Sequence, residues 1–107
     1  MTVTATARVI IEKDDVDFIN GVERNAEHPA TFPIPDEADR KAVMVGDHVK
    51  IGVEKIGGNG ERFWVKVIRR DGDEIEGEVD NHLVFTDQHG IEFGDRLTFG
   101  PEHVLGL

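Results

Sequence analysis

Cysteine, serine and tyrosine are all missing from this 107-residue chain. Without thiols there are no disulfides, no thiolate nucleophile and no sulfur-ligated zinc. Without serine, and with no threonine set among His and Asp in a suitable pattern, an ordinary hydrolase triad has no foundation. No stretch approaches the roughly 18 consecutive apolar residues that a membrane helix needs. The segment Met1 to Arg8 has neither the basic start nor the unbroken apolar run of an export signal, so the cytoplasm is the expected compartment. Basic residues are also scarce, 12 against 22 acidic ones, for a formal charge of -10. That surface repels phosphates and anionic lipid, which disfavours nucleic acid and membranes and suits a protein partner with a basic surface. No motif implies a cofactor. A chain of this length closes one hydrophobic core, so a single domain is expected, as a monomer or a small homo-oligomer.

What is present reads as strands. Thr2 to Ile11 alternates Val3, Ala5, Ala7 and Val9 with polar residues, a period of two. Asp14 or Asp15 is placed to cap a short N-terminal helix in which Phe18, Ile19 and Val22 share a face, ended by His28-Pro29. Three prolines between Pro29 and Pro35 forbid regular pairing, so residues 29–45 read as a strap anchored by Phe32 and Ile34. From residue 46 the pattern is that of a β core. Val49, Ile51 and Val53 alternate with His48, Lys50 and Glu54, and Gly57-Gly58-Asn59-Gly60 supplies a hairpin loop. Phe63, Val65 and Val67 form the core face of the strongest strand, from Glu61 to Arg69. A turn at Arg70 to Asp73 leads to Glu74 to Val79, with Ile75 and Val79 inward and Gly77 at an inward position that marks a bulge or a close neighbour. Leu83, Val84 and Phe85 form an apolar island. Ile91 and Phe93 alternate with Glu92, Leu97 and Phe99 with Arg96 and Thr98, and Glu102 to Leu105 can plug one end. Five or six short strands of this kind predict a mainly β (α+β) fold, a small antiparallel β-barrel or strongly curled sheet of SH3-like size with a short N-terminal helix.

The run Gly60-Glu61-Arg62-Phe63-Trp64-Val65-Lys66-Val67, then Gly77-Glu78-Val79-Asp80-Asn81, then Gly94-Asp95-Arg96-Leu97-Thr98-Phe99 with Glu102-His103-Val104, resembles the DUF2314 family of small uncharacterised bacterial domains. The resemblance spans about Ala26 to Val104 and includes the His28-Pro29-x-x-Phe32 approach. His82 stands where that family often has proline, and the Asp-Trp ending of many members is absent. The resemblance implies a small β fold; the family carries no agreed activity.

Trp64, the single tryptophan, shares the outer face of its strand with Arg62 and Lys66. An aromatic ring between cations can anchor a partner or stack on a planar group. The competing reading is that the strap or helix covers this face and makes Trp64 a satellite core residue. Asn81 and His82 follow a strand, where ligand-facing residues often sit, although Asn81 also suits a local Asx turn. Arg62, Trp64, Lys66, Asn81 and His82 are therefore the candidate partner-binding residues of a non-catalytic binding or accessory module. One alternative is a small metal-dependent or hydrolytic enzyme using His82, His89 or His103 with Asp80 or Asp87, although their spacing matches no short-range metal motif. Another is an acidic immunity-type protein that docks to a basic partner. Glu61 opens the Trp64 strand and is expected to pair with a nearby Arg or Lys.

Overall fold

The computed structural model describes residues 15–107; the strand expected over Thr2 to Ile11 and the cap at Asp14 lie outside them. Five antiparallel strands follow one another in chain order as neighbours in a single curled sheet: β1 (Val16–Phe18), β2 (His48–Lys55), β3 (Glu61–Asp71), β4 (Glu74–Val79) and β5 (Arg96–Phe99). Three short helices interrupt the order, α1 (Gly21–Glu27), α2 (Glu37–Lys41) and α3 (Thr86–His89), and a 3-10 turn spans Pro101–His103. The fold is the mainly β, strongly curled architecture that the alternation predicts, a half-barrel in form.

Alternation drives the curl. Val49, Ile51, Val53, Phe63, Val65, Val67, Ile75, Val79, Leu97 and Phe99 all point to the inner face and are buried. Val16, Val43, Ile91 and Val104 complete the cluster. Each such side chain contributes about 1.5–3 kcal/mol on leaving water. Gly77 sits inward opposite Val67, and a Cβ there would stand 2.8 Å from Val65 Cγ2 and 3.2 Å from Phe99. Both devices expected of this glycine occur: the neighbour is close, and the β3–β4 register slips between Val67 and Arg69. Gly72, at φ +60°, turns the hairpin.

A second, smaller cluster lies on the outer face. Ile19, Phe32 and Leu105 are buried together, with Ile34 packed against them. They rest on Gly52, where an added Cβ would meet Ile19 Cδ1 at 2.9 Å and Leu105 Cδ1 at 3.2 Å. The strap is thus anchored by Phe32 and Ile34 as expected, but it also contains α2, whose buried Arg40 donates to the Pro35 carbonyl (2.9 Å) and the Pro101 carbonyl (3.3 Å).

Two expectations are corrected. The N-terminal helix starts later than predicted: Asn20 caps it, its side chain accepting the Glu23 N–H at 3.1 Å. Phe18 belongs to β1, and the Ile19 N–H donates to the Gly52 carbonyl (2.9 Å). The two side chains serve opposite faces of the sheet, which a strand permits and one helix face does not. Ile91 and Phe93 do not form a strand. Ile91 is fully buried whereas Phe93 is 54% exposed, because the Glu92–Asp95 turn, with Gly94 at φ +89°, brings the chain round ahead of β5.

Candidate binding face

On the outer face of β2 and β3, three cross-strand pairs succeed one another: Gly52 opposite Arg62, Lys50 opposite Trp64, and His48 opposite Lys66. The period of two puts all six on this side, because Val49, Ile51, Phe63 and Val65 fill the other. In the first row Gly52 is buried and Arg62 is exposed. The Arg62 guanidinium lies over the Phe32 ring, 4.8 Å from its centroid, and Arg24 approaches the same ring at 5.8 Å. The second row is half-buried, and the Lys50 ammonium sits 5.2 Å from the centre of the Trp64 ring. In the third row Lys66 is exposed and His48 Nε2 meets Asp80 Oδ2 at 2.9 Å. The strap cluster therefore covers Gly52, leaves Arg62 exposed above Phe32 and stops short of Trp64, which joins neither apolar cluster.

The Trp64 N–H and C=O are both held by the segment that leaves β4. The carbonyl accepts the Asp80 N–H at 2.9 Å, and the N–H donates to Asn81 Oδ1 at 2.6 Å. Asn81 thus bridges to β3 through its carboxamide, while its Nδ2 donates to the His82 carbonyl at 2.7 Å. The Asx turn expected at Asn81 gives way to this longer reach because the chain leaves β4 directly beside Trp64. His82 turns elsewhere and stacks on Phe93, ring centres 5.1 Å apart. Of the five candidates, Arg62, Trp64 and Lys66 share one face, Asn81 supports it from behind, and His82 shares a ring contact with Phe93.

Glu61 is paired differently from the expectation. Its Oε1 meets Nε2 of the fully buried His89 at 2.9 Å and accepts the Phe85 N–H at 2.9 Å, while Oε2 accepts the Val84 N–H at 2.7 Å. His89 Nδ1 accepts the Ile91 N–H at 3.1 Å, which assigns the ring proton to Nε2. Burial pushes the Glu61 carboxyl up, but the bonds from His89, Val84 and Phe85 outweigh it and hold the group below the ordinary carboxylate value. His103 packs against Phe18 at 5.2 Å and accepts the Gly100 N–H at 3.0 Å, and burial holds its pKa below the ordinary imidazole value. The three histidines considered for a metal site are thus engaged separately. Among the described residues no group of three or more His, Asp or Glu is placed to hold a metal ion.

Lys50 was legible only as an outward residue, and nothing in its immediate sequence pairs it with Trp64. Gly52 was the better signal, since a glycine inside a strong strand marks a close approach, here of the strap cluster that bounds the face. A depression of about 350 Å³ adjoins the His48 end, with Asp39, Asp47 and Leu107 among its walls. No described helix is long and apolar enough to cross a membrane. Comparison with known protein families, curated proteins and solved structures finds no match to this chain.

Proposed function

We propose that the chain is a cytoplasmic, non-catalytic binding module that captures a protein partner through the outer face of β2 and β3, with Trp64 as its anchor. The observation that carries this reading is a half-buried tryptophan, outside both apolar clusters, with the Lys50 ammonium 5.2 Å from its ring centre and its backbone bonded to Asp80 and Asn81. A ring already half-buried beside Lys50 loses little freedom on contact, and buried aromatic anchors carry a large share of interface energy. Kinship with the DUF2314 domains is part of the proposal and rests on the quoted motif residues alone. Several of those residues have fold-fixing roles: Glu61 binds the loop after β4, and Asn81 bonds β3.

Trp64→Ala tests the reading. The variant is expected to keep its native circular dichroism and to lose less than the roughly 3–5 kcal/mol typical of a core tryptophan. Immobilised wild type and variant are then compared in capture from the source cell. A species retained by wild type and lost by the folded variant supports the anchor role. Identical capture by both, or an unfolded variant, contradicts it.

A further inference from the structure

We infer that the partner segment seated on the Trp64 face is acidic, although the protein as a whole is strongly acidic itself; this rests on the binding-face reading above. The inference comes from how the described cations are paired. Arg24 holds Glu54, Lys41 holds Glu37, Lys55 holds Asp15, Arg69 holds Glu74 and Glu76, and Arg96 approaches Glu78 at 3.7 Å. Arg40 and Arg70 donate to backbone carbonyls. The side chains of Lys50, Arg62 and Lys66 make no hydrogen bond or ion pair among the described residues, and Lys50 and Arg62 meet aromatic rings instead.

With 22 acidic residues against 12 basic ones, cations without carboxylates would be expected to be rare and scattered. Here they occupy three successive rows of one face and surround the lone tryptophan. The nearest carboxylates stand at the rim of the face and meet other partners: Glu54 meets Arg24, Asp80 meets His48, and Glu78, opposite Lys66, is approached by Arg96. The face therefore presents three cations around an apolar plate, complementary to carboxylates flanking an apolar side chain.

Its extent favours a peptide segment over nucleic acid. Arg62 to Lys66 spans four residue steps of strand, about 13 Å, room for two or three anionic groups. Beyond it lie Glu54, Glu78 and Asp80, which would repel the next phosphates of a longer polyanion.

The experiment uses Trp64 emission, which reports the face directly because the chain has one tryptophan and no tyrosine. The probes are a capped Gly-Glu-Asp-Leu-Glu-Asp-Glu-Gly peptide, its Gln/Asn counterpart, its Lys counterpart and an octathymidylate, each added to about 1 mM. The acidic peptide is expected to shift the emission saturably, and its affinity to fall about ten-fold between low salt and about 0.5 M. Lys50→Gln and Lys66→Gln should each weaken it about three-fold, with the Gln/Asn peptide inert. Binding of the Lys peptide in place of the acidic one, or tighter binding of the octathymidylate, overturns the acidic partner and leaves Trp64 as an anchor. An unchanged emission with every probe also overturns it. The anchor reading itself falls if Trp64→Ala unfolds or captures the same species as wild type.

Discussion

Glu61 is the residue on which the loop after β4 depends. One carboxylate satisfies the buried His89 and two backbone N–H groups of the 84–85 segment, so removing it orphans three donors at once. Glu61→Ala should lower stability by about 3 kcal/mol, measured by urea unfolding. The pH dependence has a definite sign. The folded carboxyl lies below its unfolded value near 4.5, so its stabilisation is complete above that value and is lost as pH falls through the lower folded one. Glu61→Gln should flatten this acid limb; an unaltered limb would mean that other carboxylates carry it. None of this was legible beforehand. His89 stands 28 positions from Glu61, and no spacing rule joins a strand's first residue to the last residue of a four-residue helix. Lys66 and Arg62, by contrast, were readable as outward residues, because a period of two assigns faces without knowing the partner strand.

Among the elements, β2, β3, β4 and β5 were legible because each buries one face and so repeats its apolar residues every second position. Irregular elements were not. Ile19 and Phe18 look like one face of a helix in isolation, and only the opposite clusters they enter separate them. Ile91-Glu92-Phe93 has the alternation of a strand, yet a turn follows immediately and leaves Phe93 against His82. The closeness of β3, β4 and β5 depends on Gly77, as its position in the pattern indicated. Gly77→Ala should cost about 1–3 kcal/mol, because the methyl group meets Val65 and Phe99 inside a packed core. Thermal unfolding checks this. A loss no larger than an exposed strand Gly→Ala would mean that the strands can separate there at little cost.

For the whole molecule, the governing contrast is between a net charge of -10 and a local face carrying Lys50, Arg62 and Lys66. Composition alone pointed to a basic partner, because a sum over residues has no knowledge of which charges neutralise one another. Once the ion pairs are placed, three cations without a carboxylate partner among the described residues stand on the Trp64 face, which is why the proposed partner segment is acidic. The curled sheet makes this possible: its inner face takes up the apolar residues, the strap cluster covers only Gly52, and the rest of the three rows displays a half-buried ring on a face that carries cations. The most direct test needs no partner. Iodide and caesium quench indole by collision, and each is attracted or repelled by the charge around it. With each quencher normalised to free N-acetyltryptophanamide, native Trp64 should be quenched more strongly by iodide than by caesium, against the sign of the overall charge. Stronger quenching by caesium, or no quenching by either, would contradict an accessible ring in a positive local field.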